Sequence, residues 1–284
     1  MLLPGMALLI AFSIIPMFGI VMAFQNFIPA RGILGSRWIG LDNFRLLFDL
    51  PEGMQAIQNT LIIAIGKIIG SLALSLLFAL ALNTVRTSIL KKASQTIVFL
   101  PFFISWAVLA YIYVNVLGLR GPVNQLIMFF GGESIHFMIS NTWFRPILII
   151  TDVLRGLGYN TVIFIAAIVS VDPSLYEAGE IDGATNFQQL KHITIPGITS
   201  TIILLATLSL GQVLNAGFDQ VFNMYNPLVY ATGDIIDTYV YRIGLVQAQF
   251  GLATAMGLFR SAVGMVLIII SYRLASRYAG YRIF

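Results

Sequence analysis

The sequence predicts an all-α integral membrane protein built from six spanning helices, and three observations carry that expectation. Of the 284 residues, 58% are hydrophobic and only 10% are charged, with a mean hydropathy of +0.89. One water-soluble globule has no interior large enough to hide that much apolar surface. Runs long enough to cross about 30 Å of hydrocarbon, roughly 20 residues each, occur near 2–24, 60–82, 96–117, 147–170, 201–222 and 254–274. Stretches such as Leu72 to Leu82 are apolar on every side, whereas the strands of a membrane barrel alternate polar and apolar residues. The whole chain, 1–284, reads as a single transmembrane domain.

The first run opens with "MLLPGMALLIAF", lacks a basic leading region, and continues into "SIIPMFGIVMAF" without a small-residue cleavage site. It is expected to be a spanning helix rather than a removed signal, kinked or locally unwound at Pro16. The second run carries Gly66 and Gly70 four apart, beside a Lys67, Ser71, Ser75 stripe, a spacing that lets helices pack closely. In the third, Trp106 and Tyr113 are seven apart and share a face. The fourth holds Asp152 and Arg155 three apart, a spacing at which an intrahelical ion pair lowers the cost of burying either charge. Tyr159 lies on the same face with Asn160 beside it. In the fifth, Gln212, Asn215 and Asp219 fall three and four apart, a polar stripe down one helix. The sixth run, 254–274, is followed by a basic tail.

Basic residues in short loops orient the bundle. Arg86, Lys91 and Lys92 in 83–95, and Arg273, Arg277 and Arg282 at the C-terminus, place both on the cytoplasmic side. Loops 25–56, 118–146 and 223–253 then lie outside, and 171–199 lies inside. The net charge of +4 reflects this topology; no basic and aromatic module for nucleic acid is visible. Cysteine is absent, which removes thiolate metal sites and cysteine nucleophiles. The two histidines, His136 and His192, fall on opposite faces of the membrane, so they form no paired metal site.

The inner segment "VDPSLYEAGEIDGATNFQQLKHITIPG" gathers charge in a chain that otherwise has little. Asp172 and Pro173 suit an N-cap and first helical position. Gly183 interrupts that helix, "ATNFQQLKHI" forms a second one, and Pro196 with Gly197 turns the chain into the fifth run. On composition alone a solvated loop fits equally well. The spacing from Glu177, however, is E-A-G-x3-G, nine residues, then I-x-I-P. It resembles the E-A-A-x3-G-x9-I-x-L-P signature of the permease subunits of ATP-binding-cassette (ABC) importers. Glu177, Ala178, Gly183, Ile193 and Pro196 match, while Gly179 and Ile195 replace an alanine and a leucine. "GILGSRWIGLDNFRLLF" and "GLATAMGLFRSAVGMVLIIISYRLAS" are similar to the maltose-type branch that moves alginate or rhamnogalacturonan oligosaccharides. Such permeases usually carry a polar lead before the first span, and this chain starts almost inside it.

The resemblance implies a six-helix importer permease fold with a cytoplasmic coupling helix, in the bacterial cytoplasmic membrane with the C-terminus inside. Segment 172–196, with Glu177, Ala178, Gly179, Asp182, Gly183, Ile193 and Pro196, would dock on an ATPase subunit. A second permease of a different chain, two ATPase subunits and an extracytoplasmic solute-binding protein are the implied partners. No G-x-x-x-x-G-K-[ST] is present, so ATP and Mg belong on those partner subunits and this chain binds no cofactor. Trp106, Tyr113, Tyr159, Asn160, Gln212, Asn215 and Asp219 are candidates to line an oligosaccharide pathway. Interhelical adhesion or packing is the other role open to each. A self-sufficient, ion-coupled transporter using Asp152 or Asp219 is the alternative to ATP-driven import; it would show inverted-repeat hydropathy, which is not evident. The outer segment 223–253, with its aromatic patch around Tyr239 and Tyr241, fits either a docking surface for the binding protein or a cap on the bundle.

Overall fold

A computed structural model describes residues 2–85 and 87–278; Arg86 and Arg282, which entered the orientation argument, lie outside the described residues. Helix α1 (Leu3–Phe24) is the first span. A small hairpin pairs β1 (Gln25–Asn26) with β2 (Arg37–Trp38) and leads to α2 (Asp42–Asp49). The second span, α3 (Pro51–Thr84), starts well before the expected residue 60. Proline at its first position fits the missing donor, and Glu52 in the first turn suits the positive end of the helix dipole.

The third run differs from expectation. It is two helical pieces, Ser88–Phe103 and Trp106–Val116, bent by 107°; they are α4 and α5. Pro101 removes a backbone donor, the last turn tightens to a 3₁₀ helix, and Ser105 caps α5 by accepting from Val108 N–H. Helix α6 (Pro122–Phe129) follows, and α7 (Asn141–Val169) is the fourth span. Helix α7 lies along α3, and the glycine spacing has its expected effect. A Cβ at Gly66 would sit 2.5 Å from Ile149 Cδ1, and one at Gly70 would sit 3.0 Å from Val153 Cγ2. Against α4 the approach is closer still: a Cβ at Gly158 would meet the Phe99 backbone at 2.5 Å.

Helix α8 (Pro173–Ile181) precedes α9 (Asn186–Leu210). Pro196 does not turn the chain as expected. A π turn over Leu190–Thr194, closed by Ile195 N–H to Leu190 C=O, lets the helix run on through the proline. The same device precedes Pro16 in α1, where Ile15 N–H reaches Ile10 C=O. A wider turn next to a proline absorbs the lost donor at the cost of a local distortion.

The fifth span also differs: α9 stops at Leu210, the chain unwinds through 211–217, and α10 (Phe218–Met224) continues beyond it. Gly217 takes a left-handed φ of 88° there, open to glycine at little cost. Gln212, Asn215 and Asp219 therefore do not form one stripe on a continuous helix. Helix α11 (Ile236–Tyr241) and α12 (Phe250–Tyr278) complete the described residues. One core joins α3, α7 and the 213–256 region through Ile63, Phe144, Leu148, Ile236, Tyr239 and Met256. A smaller one, with Phe164, Ile168 and Ile198, lies toward the 172–196 end.

Candidate functional site

Two sites emerge, one at the 172–196 end and one inside the bundle. At the first, Asp172 accepts from Ser174 N–H at 2.9 Å, and that bond holds its carboxyl below the ordinary value. Helix α8 closes with a Schellman turn, in which Gly183, at φ 75°, donates to Glu180 C=O and Ala184 donates to Gly179 C=O at 2.8 Å. Thr185 and Gln188 then form a capping box for α9.

The two halves of the sequence signature touch. A Cβ on Gly179 would lie 3.2 Å from Ile193 Cδ1, and Tyr176 Oη lies 3.0 Å from Thr194 Oγ1. That contact fixes α8 against the base of α9 and gives the nine-residue spacing a physical meaning. Glu177, Ala178, Asp182, Gly183 and Pro196 are exposed, and Ile193 is half-buried. Ile181 is 87% exposed and Phe187 71% exposed beside them, so an apolar surface rimmed by charge stands uncovered.

Inside the bundle, a cavity of about 400 Å³ is lined by Lys67, Ser71, Asp152, Asn160, Gln212 and Asn215 among others. Asn160 Nδ2 donates to Ser71 Oγ at 2.7 Å. Lys67 is buried yet fully engaged. Its ammonium donates to Ala216 C=O at 2.6 Å and to Gln220 Oε1, with Asp152 Oδ1 at 3.5 Å. Gln220, itself completely buried, uses its amide to hold Leu148 C=O and Thr151 Oγ1, both at 2.8 Å. Such a group in hydrocarbon is affordable only because its polar atoms have partners.

The expected Asp152–Arg155 pair does not form. Asp152 faces Lys67 of α3, while Arg155 points the other way and donates to Phe102 C=O at 3.2 Å and Ile104 C=O at 3.4 Å. Those carbonyls are freed by the 107° bend, and in a bilayer no water replaces the lost bonds. The guanidinium also lies 5.0 Å from the Trp106 ring centroid and 5.7 Å from that of Phe102.

The sequence candidates are thus dispersed. Asn160, Gln212 and Asn215 meet at the cavity. Tyr159 stacks on Phe102 at 4.8 Å beside Arg155 and Trp106. Tyr113 packs half-buried against the core, and Asp219 is exposed on α10, beyond the lining of this cavity. Lys67 and Gln220 were not anticipated as site residues, and Asp152 was considered only for ion coupling. Lys67 sits four before Ser71 in a run that otherwise has no charge, which was the available signal.

Much of segment 223–253 packs as a cap on the bundle, while Leu228, Leu245 and Val246 stay exposed. Tyr239 and Asp234 are buried. Asn59 Nδ2 donates to Asp234 C=O at 2.9 Å, Arg242 pairs with the Asp234 carboxylate at 2.6 Å, and Asp237 pairs with Arg260. Burial pushes the Asp234 carboxyl up while Arg242 and Thr238 oppose it.

A membrane transport subunit with a helix-turn-helix at 172–196 and a polar cavity inside the bundle, and no catalytic constellation among the described residues, is the class these features define. The chain belongs to the family of binding-protein-dependent transport system inner membrane components, whose model matches residues 71–280. It is 42% identical over 281 residues to the polygalacturonan/rhamnogalacturonan transport system permease protein YteP of Bacillus subtilis, covering 98% of this chain and 87% of that protein. Protein LplB of the same organism is 38% identical, over 98% and 88% of the two chains. A crystal structure of a bacterial ABC transporter involved in the import of the acidic polysaccharide alginate matches with a TM-score of 0.89 and 36% identity. That match covers 98% of this chain and 94% of the other. A bacterial alginate ABC transporter in complex with alginate pentasaccharide-bound periplasmic protein matches with a TM-score of 0.88 and 35% identity, over 98% and 93% of the two chains. These relationships support an importer permease and give no support to a self-sufficient ion-coupled transporter. The chain is a multi-pass membrane protein.

Proposed function

We propose that the chain forms half of the translocation pathway of an ATP-driven importer of acidic oligosaccharides. It acts as one permease domain in the bacterial cytoplasmic membrane, with 172–196 and the C-terminus inside. A second, different permease supplies the other half, two ATPase subunits bind ATP and Mg below, and an extracytoplasmic binding protein delivers the sugar. The relatives named for polygalacturonan and for alginate support the substrate class. Lys91, Lys92 and Arg273 in short flanking segments support the orientation.

The observation that carries the reading is the helix-turn-helix at 172–196, which leaves Ile181 and Phe187 uncovered beside Glu177. An apolar patch with a charged rim is the form of a protein interface. ATP binding would draw two ATPases together, move the coupling helices with them and rock the bundles between two access states. Inside, the amides of Asn160, Gln212 and Asn215 and the hydroxyl of Ser71 would replace hydrogen bonds a sugar loses on leaving water, each weak enough to allow release. The test is Glu177→Lys in the assembled transporter, with substrate-stimulated ATP hydrolysis and uptake as readouts. Both should fall. Wild-type values for both would mean that Glu177 has no part in coupling.

A further inference from the structure

The unwound segment 211–217 is held from both sides. Helix termini and breaks leave backbone carbonyls without partners, and inside a bilayer these must be satisfied by protein. Lys67 of α3 donates to Ala216 C=O at 2.6 Å. From α12, Arg260 Nε donates to Leu214 C=O at 3.1 Å. Each cation has its own carboxylate, Asp152 for Lys67 and Asp237 for Arg260. Each also borders a cavity: the one described above, and a second of about 360 Å³ that contains Arg260. Gln212 and Asn215 line both.

We propose that Lys67 and Arg260 are positioning residues of the pathway, which set where Gln212 and Asn215 stand by holding the unwound backbone between α3 and α12. This rests on the pathway reading above. The two donors grip carbonyls two residues apart, and Asn215 lies between them in sequence. A side chain on a helix would inherit its direction from the helix; here the direction comes from two side chains on neighbouring spans. Gly217 adds to this on one flank, since a Cβ there would stand 3.2 Å from Lys67 Nζ. Gln220 anchors the same ammonium to α7 through Leu148 and Thr151.

The test uses the whole transporter, with partner permease, ATPases and binding protein, and an oligogalacturonide as the transported probe. Single cysteines Gln212→Cys and Asn215→Cys, placed in this cysteine-free chain, report on position through their rate of reaction with a methanethiosulfonate. Lys67→Met and Arg260→Met should each change those rates and raise the KM for uptake by about ten-fold, the scale of one lost orienting contact. A cysteine at exposed Glu133 should keep its rate, and Lys67→Arg should restore KM. Unchanged labelling and KM, with uptake falling only in step with folded protein, would overturn the proposal. If Lys67→Met fails to assemble, Lys67→Gln is read in the same way; failure of both would make the role purely structural and equally end the proposal. A wild-type complex that does not carry the oligogalacturonide would fault the substrate reading, and the labelling arm would still decide the positioning.

Discussion

Gly158→Ala is the sharpest available perturbation of the bundle. The added Cβ would lie 2.5 Å from Phe99 Cα, 2.8 Å from Phe99 N and 2.8 Å from Val98 O. Ordinary carbon contacts begin near 3.5 Å, and these partners are backbone, so no rotamer change relieves the clash. Helix α4 has to move away from α7, which also disturbs the bend that Arg155 holds a few residues further on. Overpacking of this kind costs about 1–3 kcal/mol, a loss of several degrees in unfolding temperature for a chain of this size. Gly156→Ala is the internal control. It lies on the same helix, its Cβ would meet only Asn160 Nδ2 at 3.4 Å, and replacing a mid-helix glycine by alanine gains about 0.5–1 kcal/mol. Thermal unfolding of both purified variants in one detergent should place Gly158→Ala below wild type and Gly156→Ala at or above it. Equal stability of the two would refute the close approach of α4 to α7.

Arg155→Met should weaken the third span: it removes two charge-assisted hydrogen bonds, each worth about 1.5–3 kcal/mol, and proteolysis near 100–106 should accelerate while the 172–196 end stays protected. Gly179→Ala restores the residue usual in the signature, and because only the flexible tip of Ile193 lies close, ATP-coupled uptake should stay within about two-fold, the scale of a few tenths of a kcal/mol. Gly183→Val places a β-branched residue at a φ of 75°, a strain of about 1–3 kcal/mol, so co-purification with the ATPase should fall; wild-type recovery of the complex would count against the role of that turn.

The class of fold and the helix-turn-helix at 172–196 were legible because their signals are local. Apolar runs report the spans directly, and Asp172, Pro173 and Gly183 act on their own neighbours. The breaks were hidden for a different reason: hydropathy counts side chains and is blind to whether the backbone stays helical. Pro101 with Ser105, and Gly211 with Gly217, bracket the two interruptions and were the readable signs. The polar partners were harder. Asp152 and Arg155 stand at a spacing that suits an intrahelical pair, but each found a stronger demand elsewhere, a buried ammonium for one and orphaned carbonyls for the other. Gln220 is a hub because it stands on α10, beyond the break, in contact with Lys67 and Thr151, a tertiary arrangement that no periodicity encodes.

The central claim is that this chain moves sugar only when a separate ATPase drives it through 172–196. Uptake of a labelled acidic oligosaccharide into sealed proteoliposomes tests it directly, with the chain, its partner permease and binding protein present, and the ATPase subunits either included or left out. Uptake is predicted only with the ATPases and hydrolysable ATP, and not with an imposed proton or sodium gradient alone. Gradient-driven uptake in the absence of the ATPases would contradict the account.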